Sequence, residues 1–208
     1  MIFIIVVSIL FWDSYLIYPI KLFVVLFHEI SHGLAGFITG GKITHIQIDY
    51  ELGGLCVVEG GNTILIAFSG YLGSLLFGGL LYYTSFDKKK LIITTTILAV
   101  LLLIMTANFI KGGFGVLFSV LFIILLITFP RLLNYTYNKF IFRTIGIISC
   151  LYVLTDIKED LFTITYRQTD AQILSDLLGV HPLMWGLLWL GISTAFVYYL
   201  IKHMLKKD

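Results

Sequence analysis

The run Phe27-His28-Glu29-Ile30-Ser31-His32-Gly33 holds two histidines four residues apart, with a glutamate directly after the first. On a helix, positions i and i+4 share one face about a turn apart, so His28 and His32 can hold one tetrahedral zinc ion between them. Glu29 then stands where a carboxylate can take a proton from metal-bound water, the arrangement of metal-assisted hydrolysis. With five histidines and four glutamates in the chain, random order would produce this pattern in roughly 0.2% of sequences of the same composition. His28 and His32 are thus candidate metal ligands and Glu29 a candidate general base.

The elements that must position these groups follow from composition. Of 208 residues, 59% are hydrophobic and 12% charged, against about 45–50% and about 25% in soluble domains. The chain reads as a membrane protein. A net charge of +2, with no basic run beyond Lys88-Lys89-Lys90, excludes a nucleic-acid binder. Cys56 and Cys150 lie in no metal or redox spacing and read as plain thiols.

A membrane-crossing helix needs about 20 mostly apolar residues. Seven runs qualify: residues 1–18, 21–38, 64–83, 91–109, 113–129, 140–156 and 182–201. The first is the weakest, because Asp13 interrupts it and Pro19 follows it, so the expected fold is an all-α polytopic membrane protein of six to seven helices. No cation precedes Lys21 and no small-residue cleavage site follows the first run, which argues against a removable signal peptide. Threading seven spans puts ten Lys and Arg on the side of Lys88–Lys90 and four on the other. The bias toward cations inside gives an N-terminus outside and a C-terminus in the cytoplasm of a multi-pass protein of the cell membrane.

Two segments are not spans. Residues 40–61 alternate apolar and polar around Ile46, Ile48 and Tyr50 before Gly53-Gly54, which signals a β-hairpin directly after the zinc-motif helix. Residues 157–181, together with Asp156, carry five of the twelve acids and read as an outer amphipathic connector. Without a repeat or linker, residues 1–208 form one membrane-embedded domain. Gly70, Ser74 and Gly78 recur every four residues, a small-residue stripe for close helix packing. Trp185 and Trp189, with Tyr82 and Tyr83, stand at span ends where aromatics mark the headgroup level.

A catalytic zinc takes three protein ligands and leaves a position open. His45 in the hairpin, His181 beside Pro182 and His203 among the terminal lysines are badly placed to supply the third. Counting a rise of about 1.5 Å per residue from Lys21 and Arg143, as markers of one face, puts His28, His32 and Asp156 about 10, 16 and 20 Å deep. Asp160 comes out at about 26 Å. Asp156 is the expected third ligand, with Asp160 and Asp170 as alternatives.

The order of these features resembles the site-2 protease group, the M50 intramembrane zinc metallopeptidases: an early His28-Glu29-x-x-His32-Gly33 span, a Gly53-Gly54 hairpin, then Phe68-Ser69-Gly70-Tyr71-Leu72-Gly73-Ser74. More narrowly, Leu154-Thr155-Asp156-Ile157-Lys158-Glu159-Asp160-Leu161, Thr169-Asp170-Ala171 and Trp185-Gly186-Leu187-Leu188-Trp189 are similar to the M50B-like branch. The resemblance implies Zn2+ on His28 and His32, Glu29 as base, a carboxylate ligand from a later span, and cleavage of peptide bonds within or beside a membrane. The Asn-Pro-Asp-Gly or Leu-Asp-Gly motif that carries the third ligand in the main type is missing from this sequence.

The expected function is an intramembrane zinc metalloprotease whose zinc-bound water is activated by Glu29. Its partners are a membrane protein or peptide substrate and the lipid bilayer, with no nucleic acid. Two alternatives share these residues: a non-catalytic metal-binding pseudoprotease that escorts membrane proteins, and a transporter or proton relay through His28, Glu29 and Asp156. The relay lacks the paired, broken helices of two matching halves.

Overall fold

A computed structural model of the protein describes residues 14–162 and 168–207. Most of the expected first span, residues 1–18, lies outside them. Among the described residues, six helices are long and apolar enough to cross a membrane, and a small three-stranded sheet accompanies them. The chain is a multi-pass, mostly helical membrane protein.

Helix α1 (Tyr18–Ile38) begins with Pro19 in its first turn, where the missing N–H has no intrahelical partner to lose. Strands β1 (Lys42–Ile48) and β2 (Gly54–Glu59) pair antiparallel with Ile46 opposite Cys56, so the expected hairpin forms. The Asn62 side chain caps α2 (Thr63–Thr84) by accepting from the Leu65 amide, and Asp87 caps α3 (Lys88–Asn108) by accepting from that of Lys90. Strand β3 (Ile110–Lys111), α4 (Gly113–Leu132), α5 (Tyr135–Phe162), α6 (Asp170–Leu178) and α7 (Pro182–Lys207) follow.

Two features depart from the sequence reading. The two-residue β3 lies between apolar runs and pairs parallel to β1, Ile46 to Ile110, giving the order β2-β1-β3. In addition, the region read as an outer connector is partly helix. α5 continues past Asp156 to Phe162, and α6 opens with a capping box between Thr169 and Gln172 and closes on a left-handed Gly179.

The hairpin does not stand clear of the bundle. Its turn returns to the start of α1, where the Tyr18 hydroxyl donates to the Tyr50 carbonyl, and Ile43 and Val58 fill the space left by Gly33 and Gly36. β1 is thus held against α1 with Ile43, Ile46 and Ile48 buried. Strand backbone beside a membrane helix is tolerated where its polar groups are paired or face a water-filled cavity.

The small-residue stripe on α2 serves two neighbours. The Ser74 hydroxyl donates to the Val24 carbonyl of α1 at 3.2 Å. Gly78 meets α5, where a Cβ on Gly146 would stand 2.6 Å from the Gly78 carbonyl oxygen. Two expected headgroup markers are instead interior: Tyr82 and Trp189 are buried, the Tyr82 hydroxyl donating to Leu200 O. α3 and α4 turn Ile97, Leu103, Leu117 and Leu121 outward, a surface that hydrocarbon rather than water would cover. Gly146→Val is expected to destabilise the detergent-solubilised protein by about 1–3 kcal/mol through overpacking. Gly191→Ala, inside α7 where nothing lies within 4 Å, is expected to stabilise the protein slightly in thermal unfolding, by about 0.5–1 kcal/mol, and never to destabilise it.

Candidate metal centre

His28 lies ten residues beyond Tyr18 in α1, about 15 Å along the helix, so the site sits well inside the span. His28 Nε2 lies 3.2 Å and His32 Nε2 3.3 Å from the same atom, Asp170 Oδ2. The donor atoms of the three residues all fall within 4.8 Å of one another. Zinc bonds of about 2.0–2.1 Å at tetrahedral angles put neighbouring ligand atoms about 3.3 Å apart, so this donor set fits one zinc ion.

A second observation agrees with that fit. His32 Nδ1 stands 2.7 Å from the Ile66 carbonyl oxygen; a carbonyl can only accept, so Nδ1 carries the hydrogen. A neutral His32 then turns the lone pair of Nε2 toward a carboxylate oxygen, an arrangement that requires a cation, proton or metal, between them. Carbonyl-anchored imidazoles of this kind are the usual outer support of a metal ligand. Where a proton takes the cation's place, burial opposes ionisation of Asp170, but the positive charge on the His32 and His28 rings holds its carboxyl well below the ordinary range.

The cluster lines a cavity of about 720 Å³ together with Glu29, Asp156, Tyr152 and residues 53–56 of the hairpin. Two glycines make the fit possible. A Cβ on Gly54 would strike the Glu29 carboxylate, and one on Gly70 would strike the His28 and His32 rings. Only backbone without a side chain can approach so closely. Cys56, also in the cavity wall, is a neutral thiol, because burial and then the nearby Glu29 carboxylate push its pKa up to about 12.

His28, Glu29 and His32 come together as their spacing implies, but the third member of the cluster is Asp170 rather than Asp156. Asp156 lines the same cavity without joining the cluster, and the Asp160 side chain lies outside the described residues. Counting depth along one continuous helix finds Asp156, and it cannot find a residue carried back into the bundle by a separate helix. α6 does that by burying Ala171 and Leu174 against α2 and α7. The overlooked signal was Thr169-x-x-Gln172 with Gly179 beyond, a helix start and stop. Among the described residues, His45, His181 and His203 take no part in the cluster.

A family model described as Peptidase M50B-like matches residues 1–200. The chain belongs to the M50B-like peptidase family. Comparison with curated proteins and with solved structures gave no match. Membership supports a membrane metalloprotease, since M50 peptidases are zinc enzymes.

Zinc counted per purified chain by elemental mass spectrometry is expected at about one in the wild type. Asp170→Ala should lose it and Asp156→Ala keep it. Zinc lost only in Asp156→Ala would return the third-ligand role to that residue.

Proposed function

We propose that this M50B-like protein is an intramembrane zinc metalloprotease that hydrolyses peptide bonds of membrane-associated proteins. His28, His32 and Asp170 hold the metal and Glu29 acts as general base. The observation that carries the reading is the convergence of two imidazoles and one carboxylate oxygen in a cavity that Glu29 also lines. Bound zinc would polarise the scissile carbonyl and acidify a water molecule.

The chain's own groups supply the rest. Glu29, one residue from His28 and packed against Gly54, accepts the proton of the attacking water and can return it to the leaving amine. Ile66 fixes the His32 ring through its carbonyl. Within the described residues, β2 pairs only with β1, and its residues Gly54, Leu55 and Cys56 line the cavity. A transmembrane substrate hides its amides in its own helix, and an open strand edge beside Glu29 suits its unwinding into an added strand. One membrane-embedded domain of the cell membrane, N-terminus outside and C-terminus in the cytoplasm, completes the reading.

The test compares membrane-protein fragments, identified by mass spectrometry, in cells making wild type or Glu29→Gln. Fragments that appear with wild type and vanish in Glu29→Gln, while that variant keeps its zinc, are expected. Identical fragments in both would overturn the role of Glu29. Zinc retained with no fragment in either would point to the non-catalytic escort. Gly54→Ala, by displacing Glu29, is expected to lower turnover at least tenfold with zinc content unchanged, as loss of general-base catalysis costs about 10²–10⁴-fold.

A further inference from the structure

The two histidines of the cluster are oriented by different means. His32 is anchored through Nδ1 to Ile66 O at 2.7 Å, whereas His28 Nδ1 is buried with no hydrogen-bond partner among the described residues. An imidazole that binds a metal through one nitrogen usually has the other tied to an acceptor, which fixes the ring's angle. Some other contact must fix it for His28.

That contact is aromatic. The Tyr71 ring stands edge-to-face on His28, with centroids 4.7 Å apart and planes at 81°. Tyr71 is itself backed by Trp189 of α7 at 5.0 Å, and Trp189 by Phe68 at 5.7 Å. Tyr71 and Trp189 are both almost fully buried. Rings in an edge-to-face pair attract through their quadrupoles in a preferred geometry, so this contact carries angular information that aliphatic packing lacks. Gly70, the residue before Tyr71, packs close against the His28 and His32 rings, since a Cβ there would clash with His28 Nε2.

We infer that Tyr71 is a positioning residue for His28, holding the imidazole at its ligating angle in place of a hydrogen bond, with Trp189 as its backstop from the last helix. The inference rests on the metal-centre reading and adds to it. It also assigns a task to the otherwise unexplained burial of Trp189. The edge-to-face contact is made by the ring, so phenylalanine keeps it and an aliphatic residue does not.

The experiment measures zinc affinity of the full chain in detergent by competition with a chromogenic chelator, alongside the visible bands of the cobalt-loaded protein. Tyr71→Leu is expected to weaken zinc about 10–100-fold, as loss of an outer support does, and to shift the cobalt bands. Tyr71→Phe should restore both affinity and spectrum. If Tyr71→Leu does not fold, Trp189→Leu decides, with a smaller weakening in the same direction expected. Unchanged affinity and spectrum in a folded Tyr71→Leu or Trp189→Leu would overturn the positioning role while leaving the metal centre intact. Failure of the wild type to bind either metal would overturn the metal reading and this inference with it.

Discussion

Two imidazole nitrogens and a carboxylate oxygen meeting at 3.2–3.3 Å inside a bundle of apolar helices form an arrangement that a cation must complete. Buried charges and polar groups are costly unless paired, and at membrane depth an ionisable side chain implies a function by default. Much of the fold can be understood as meeting that demand. The helical repeat of α1 supplies two imidazoles from one face. α2 approaches closely enough at Gly70 to leave the rings undisturbed and offers the Ile66 carbonyl to one of them. α6 returns a carboxylate to the same point from a segment that does not itself cross the membrane.

A second constraint comes from the backbone. Strands expose peptide groups along their edges, and hydrocarbon offers those groups nothing. β1 is paired on both sides, and β2, paired on one side among the described residues, puts Gly54, Leu55 and Cys56 in the cavity wall. The start of that strand thus borders a polar cavity, where peptide groups are tolerated. The same strand brings Gly54 onto Glu29, so the hairpin both limits the base's position and borders the space in which it would act.

Much of this was legible in the sequence. Apolar run length located six helices, because crossing hydrocarbon sets a minimum that few soluble segments reach. The spacing of His28 and His32 puts two imidazoles on one face, and alternation around Ile46 and Ile48 marks the hairpin. The third member of the cluster is harder to place. Asp156 satisfies depth along a span, whereas Asp170 reaches the site by a change of direction after α5, which no periodicity encodes. β3 is only two residues long and owes its conformation to pairing with β1. Trp189, near a helix start, looks in sequence like a headgroup marker; its burial comes from Phe68 and Tyr71 of α2, which pack against its ring.

The central claim is that His28, His32 and Asp170 together bind one zinc ion. X-ray absorption at the zinc edge of the purified, zinc-supplied protein tests it most directly. The expected first shell is nitrogen and oxygen only, at about 2.0–2.2 Å, with the outer scattering of two imidazoles. A sulfur neighbour at about 2.3 Å, which would bring in Cys56, or a shell with no imidazole scattering, would contradict it.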